Sequence, residues 1–225
     1  MRLAMSAVVL YIAACFFVYT HISVGLADAS SFGVSKTQPL NSLFAAFAHV
    51  SWQHFTANAV GLMVVTLSFA AITLVHPRPV RVVWERVFLA GLLAGIFVPP
   101  LVELTLDFMG RAYFPFSVGA SAAVYEMAGL TAVASLFTVR TVVYIKNVFM
   151  ASPDTRLIAV GVVSPSVMLF LIAVADPVLF LGVGKSAFLG HLYGLVIGFA
   201  VGVAGLERPK RHGYRVNRSL IRRLA

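Results

Sequence analysis

Ser121 lies in Gly119-Ala120-Ser121-Ala122-Ala123-Val124-Tyr125, at the head of a long apolar run. With only small residues beside it, its hydroxyl can be approached closely by a second helix or by a substrate backbone. That is the situation of a nucleophile in need of a base. The same small residues are also ordinary packing residues of membrane helices, so the heptapeptide alone supports either use. A second polar group opens another apolar run, His49-Val50-Ser51-Trp52-Gln53-His54-Phe55-Thr56-Ala57-Asn58. His54 and Asn58 are four residues apart and share one face of a helix, with His49 just before it. Polar groups inside a membrane are costly and usually have a task; interfacial wetting and helix–helix hydrogen bonding are the competing uses. The third group is Gly190-His191-Leu192-Tyr193-Gly194-Leu195-Val196-Ile197-Gly198, where Gly202 continues a four-residue glycine period. Such a stripe lets another helix come unusually close. A lone histidine on an apolar helix is as a rule structural, but His191 borders the surface built for the closest contact.

The elements that must position these groups follow from composition and hydropathy. The 225 residues are 60% hydrophobic and 11% charged, with a mean hydropathy of +0.93. A soluble domain is about 45–50% apolar and about 25% charged, so this is a polytopic membrane protein. No low-complexity linker divides it, and one membrane domain is expected over residues 1–206, with a basic tail at 207–225. Cys15, the single cysteine, excludes an intramolecular disulfide and any multi-cysteine metal site. No metal or cofactor is expected.

A bilayer core of about 30 Å asks for about 20 mostly apolar residues per helix, and six stretches qualify. Span one runs from about Leu3 to Leu26. Arg2 before it and Ala27-Asp28-Ala29 after it resemble a secretory signal, but the apolar stretch is longer than a signal core of about 7–15 residues, so a retained helix is expected. Leu40, Leu43, Phe44 and Phe47 recur at helical spacing and predict an interfacial helix. Span two covers about His54–Val75 and ends at His76-Pro77-Arg78-Pro79. Span three covers about Val83–Leu106, and Pro99-Pro100 should bend or break it near its far end. Span four covers about Gly119–Val139. Span five covers about Leu157–Val174, with Ser164-Pro165-Ser166 predicting a kink. Span six covers about Ser186–Leu206.

Charge orients the spans. All the basic residues except Lys36, Arg111 and Lys185 fall on one side of a six-span arrangement, and the positive-inside rule puts that side, with both termini, in the cytoplasm. Spans two, four and six then all enter from the outer side, and His54, Asn58, Ser121 and His191 fall in their first turns. The four converge at one depth. The net charge of +9 has the same origin. A basic tail beside a membrane answers to topology and anionic headgroups, and no aromatics interleave with it as base stacking would need, so nucleic-acid binding is not expected.

His-x4-His-x3-Asn entering span two, Gly-x-Ser opening span four and His-x2-Gly-x3-Gly in span six together resemble the rhomboid intramembrane serine proteases. The resemblance covers about Leu3 to Leu206 and implies an all-α, six-transmembrane-helix rhomboid-like bundle. It implies Ser121 as nucleophile and His191 as its general base. His54 and Asn58 would donate to the oxyanion beside the Ser121 backbone N–H. Tyr125 matches the aromatic that supports the histidine ring, His49 a structural histidine in the preceding loop, and Gly119, Gly194 and Gly198 the small residues of the motifs. The implied activity is hydrolysis of peptide bonds in or near transmembrane segments of membrane-protein substrates, by a Ser-His dyad without a third carboxylate, at a site open to the extracytoplasmic face. The chain departs from the family pattern at Ala122, where Gly-x-Ser is usually followed by glycine, and at Leu40-Asn41, where a Trp-Arg pair is common. The expectation for Ala122 is crowding of the contact between spans four and six, or a narrower substrate approach. Glu126, about 140° around the helix from Ser121 by the 3.6-residue repeat, should not face the dyad.

A catalytically inactive rhomboid-like protein that binds transmembrane helices and controls their traffic or turnover is the alternative, and the paired Ser121 and His191 argue against it. A small transporter would place its polar groups at the bilayer midplane, whereas these sit near one face. The orientation is testable by cysteine accessibility in a Cys15→Ser background. A cysteine in the tail should react only after the membrane is permeabilised, and labelling from outside intact cells would reverse the topology.

Overall fold

A computed structural model describes residues 1–27, 41–49, 51–74, 76, 78–109, 121–144 and 185–211, without the side chains of 41–42, 139–144, 185–188 and 207–211. The ordered elements are α1 (Arg2–Ser23), α2 (Asn41–Phe44), α3 (Trp52–Leu74), α4 (Arg78–Gly95), α5 (Val98–Phe108), α6 (Ser121–Tyr144) and α7 (Lys185–Arg211), with no strand among the described residues. Gly119, span five and the tail beyond Arg211 lie outside them. Three helices are long and apolar enough to cross a membrane: α1, α3 and the Leu189–Leu206 part of α7. The α4–α5 pair, bent by 43°, passes the same test as one broken span. The protein is thus an all-helical integral membrane protein.

Pro99 and Pro100 do interrupt span three, as the sequence predicts, but by starting a helix. Both fall in the first turn of α5, where backbone N–H groups have no intrahelical acceptor to lose. The break itself lies at Ile96 and Phe97, whose N–H groups bond to Leu93 and Ala94 as α4 tightens and ends. The expected interfacial helix is shorter than its pattern suggested. It is one turn, Asn41–Phe44, continued by a turn through Phe47, and Tyr11 Oη donates to the Ala46 carbonyl at 2.9 Å to hold that turn against α1.

α6 is the centre. From Glu126 to Ser135 every residue is buried, as suits a helix packed on all sides. Its contacts are most extensive with α7, then with α3 and α4, while α1 packs outside against α3 and α4. Hydroxyls in this interior are satisfied within their own helices: Thr131, Ser135 and Thr138 donate to the carbonyls four residues back at 2.6–2.8 Å. At the far end of α3, His76 Nε2 lies 2.8 Å from Thr138 Oγ1. The Thr138 proton is committed to Ala134, so the imidazole is the donor.

Glycine sets how near α6 and α7 come. A methyl on Gly194 would run into the Ala122 carbonyl, and one on Gly198 into the Glu126 carbonyl, while Gly129 on α6 meets the Leu195 carbonyl in return. Gly202 continues the contact, since a methyl there would fall 2.8 Å from Val133 Cβ; Gly190 has nothing within 4 Å among the described residues. The glycine period therefore becomes a contact only from Gly194 onward. Ala122, expected to crowd this contact or to narrow substrate approach, is buried with Val98 and Val102 of α5 and with Leu189, Tyr193 and Ile197 of α7. It fills a space between three helices.

Glu126 faces α4. Its side chain is 0% exposed, its carboxyl lies against Gly91 and Gly95, and a methyl on Gly95 would fall 2.5 Å from Oε2. Neither carboxyl oxygen has a hydrogen-bond partner among the described residues. Two substitutions separate these glycine contacts. Gly198→Ala strikes backbone and should cost at least the ~1–3 kcal/mol of core overpacking, in any background. Gly95→Ala strikes the end of a side chain, and its cost should shrink in Glu126→Ala. Equal thermal shifts for Gly95→Ala with and without Glu126 would show that the carboxyl is not what that glycine accommodates.

Candidate active site

The candidate site residues come from the N-terminal ends of α3, α6 and α7. Ser51 caps α3: its Oγ accepts the His54 N–H at 3.2 Å, satisfying one of the orphan donors of the first turn. That cap fixes where α3 begins, and so sets His54 in its first turn and Asn58 in its second. His54 is half-buried and Asn58 is 8% exposed.

His49 lies immediately before this helix and orients Asn58. Its Nδ1 is 3.1 Å from the Phe47 carbonyl and its Nε2 is 3.2 Å from Asn58 Nδ2. A carbonyl can only accept, so Nδ1 carries the proton, and Nε2 accepts from the Asn58 amide. This tautomer is the neutral ring, and burial pushes its basicity below the ordinary histidine range, with the nearby His54 acting in the same direction. The rings of His49 and His54 meet edge-on at 5.3 Å, and Phe55 closes the other edge of His49 at 5.5 Å. An asparagine amide has two N–H donors; one is held by His49, and the other is free of that bond.

Ser121 is the first residue of α6 and is half-buried. Backbone N–H groups in a first turn have no intrahelical acceptor, and the helix end favours negative charge. Tyr125, one turn on, shares the Ser121 face. His191 of α7, 8% exposed, stacks on Tyr125 with ring centroids 4.2 Å apart and planes 19° apart. The imidazole is thereby held flat against the face of α6 that begins at Ser121. Gly194 and Gly198, three and seven residues after His191, make the backbone contact that lets this stack form. Glu126 turns toward α4, in keeping with its angular offset.

Thr105 and Tyr193 were not singled out by the sequence. Tyr193 Oη is 2.8 Å from Thr105 Oγ1, a pairing across 88 positions for which no local pattern exists. Ser51 was not singled out either, although a serine just before a helical apolar run is the signal of a helix cap. Among the described residues no group of three or more His, Cys, Asp or Glu side chains is arranged to hold a metal.

A family model described as Rhomboid domain matches residues 36–208, the greater part of the chain. No curated protein and no solved structure matches it.

Protonation should act on this site through His49. Burial lowers both His49 and His76 from the ordinary value of 6.5. A depressed histidine contributes stability that is complete above 6.5 and is lost as pH falls through the lowered value. The thermal midpoint in detergent should therefore drop on acidification below about pH 6.5. His49→Gln and His76→Gln should each remove part of that dependence, and the double variant more. An unchanged pH slope in both single variants would mean that other groups titrate.

Proposed function

Because the chain belongs to the rhomboid family, we propose that it is an intramembrane serine protease that hydrolyses peptide bonds in or near transmembrane segments by a Ser121–His191 dyad. The stacking of His191 on Tyr125 carries this reading, since it lays a histidine from one helix along the serine-bearing face of another. Ser121 Oγ attacks the substrate carbonyl carbon while His191 takes its proton. The oxyanion that forms is met by the Ser121 backbone N–H, the second N–H of Asn58 and the His54 side chain. The tetrahedral intermediate collapses, the scissile C–N bond breaks, and His191 gives the proton to the leaving amine, which leaves the acyl group on Ser121. Water then hydrolyses the acyl-enzyme by the same base. A neutral imidazole suffices for such a step, and ring orientation comes from Tyr125 rather than from a carboxylate.

Supporting the oxyanion assignment is the way His49 uses one Asn58 donor and fixes the amide plane. A donor held before charge develops costs no reorganisation at the moment of reaction. The six-span bundle over residues 1–206, the cytoplasmic basic tail binding anionic headgroups, and the outward-opening site belong to the same proposal. Substrates are membrane proteins with a transmembrane helix that unwinds near its outer end.

Ser121→Ala should abolish both cleavage of single-span test substrates and covalent capture of a fluorophosphonate by the purified protein. His191→Ala should leave the serine in place with capture greatly slowed. Asn58→Ala and His54→Ala should mainly lower kcat, each by about 10²–10³-fold for one lost oxyanion donor, with folding checked by thermal melting. If the wild type binds single-span helices yet neither cleaves them nor captures the probe, and Ser121→Ala binds equally well, the protein is a silent helix binder.

A further inference from the structure

His191 and Tyr193 are two positions apart on α7, about 200° around the helix at 3.6 residues per turn. They therefore face nearly opposite sides. One is stacked on Tyr125 of α6; the other reaches Thr105 of α5. The outer end of α7 is held between them.

The Thr105 contact has a defined direction. Thr105 Oγ1 donates its only proton to the Leu101 carbonyl at 2.9 Å, so its oxygen accepts at 2.8 Å and the Tyr193 O–H is the donor. The acceptor is thereby locked in place by its own helix before it receives the tyrosine. Around the pair, Val98 and Val102 of α5 and Ala122 of α6 are buried, and Leu106, Leu189 and Tyr193 pack against them. The hydrogen bond is part-buried, with its tyrosine packed against that apolar cluster.

The α6–α7 contact itself leaves a need for such a restraint. Gly194 and Gly198 press on backbone carbonyls of α6, which fixes how near the helices lie. A glycine surface has no side chains to interlock, so it resists rotation of α7 about its own axis weakly. A directional bond on the opposite side of α7 supplies that resistance. The other anchor, α5, is joined to α4 through a 43° bend, so the bond also ties the outer half of the broken span to the histidine helix.

We infer that Thr105 and Tyr193 are a positioning pair for His191, fixing the rotation of α7 and so the presentation of the imidazole to Ser121. The inference rests on the protease reading, and each can fail separately. Tyr193→Phe and Thr105→Val remove the hydrogen bond with little change of shape, whereas Thr105→Ser keeps it. The measurements are kcat and KM on a single-span substrate, the maximal rate of fluorophosphonate capture, and the thermal midpoint.

Tyr193→Phe and Thr105→Val should each lower kcat and capture rate about 3–10-fold, the scale of one neutral hydrogen bond. KM should hold within about twofold, because the pair touches no substrate. The double variant should be no worse than either single one, and Thr105→Ser should restore the wild-type rate. Wild-type kcat in a folded Tyr193→Phe or Thr105→Val protein, a melting shift without a rate change, a rise confined to KM, or multiplicative losses in the double variant would each overturn the pair. Should one variant fail to fold, the other and Thr105→Ser decide the matter. A wild type that neither cleaves nor captures the probe would instead defeat the protease reading.

Discussion

The approach of α7 to α6, backbone against backbone at Ala122–Gly194, Glu126–Gly198 and Leu195–Gly129, is the constraint on which the other arrangements depend. Contacts of this kind admit no side chain between the helices, so they set a separation rather than a range of separations. At that separation a tyrosine on one helix and a histidine on the other have one ring thickness of space and fill it by stacking. A β-carbon on any of these glycines would widen the gap, and the histidine would leave the face that carries the serine. The Tyr125–His191 stack is thus set by atoms one to two turns further along the two helices.

Close approach alone leaves degrees of freedom, and the structure removes them with directional contacts at the rim. Ser51 fixes the start of α3, His49 fixes the amide of Asn58, and the Tyr193 hydroxyl fixes α7 against α5. The pattern divides labour: apolar and glycine contacts hold the helices together in the interior, and neutral hydrogen bonds set angles where the candidate site residues stand. Neutral groups suit this role, because they orient without the desolvation cost of an ion pair in a low-dielectric setting.

Most of this division was legible in the sequence where it depended on local spacing. The i, i+4 relation put His54 with Asn58 and Ser121 with Tyr125, and the glycine period of span six marked the contact surface. The angular offset of Glu126 also held. What spacing could not supply was the partner of each surface. Nothing near Glu126 announces that Gly91 and Gly95 lie opposite, or that Ala122 shares an apolar cluster with residues of both α5 and α7. The Thr105–Tyr193 bond is of the same kind. The Pro99-Pro100 break was expected as damage to a helix and is realised as a helix start, because a proline in a first turn has no hydrogen bond to lose.

Glu126 bears on how the chain reaches its membrane. A carboxyl in the second turn of α6 opposes release into lipid, and among the described residues α6 is not one of the helices long and apolar enough to cross a membrane by themselves. The helix most enclosed in the finished bundle thus depends on its neighbours to cover a carboxyl. Among the described residues its carboxyl lies against Gly91 and Gly95 of α4, which precedes it in the chain. Because α4 is made before α6, the surface that covers the carboxyl exists when the carboxyl needs it.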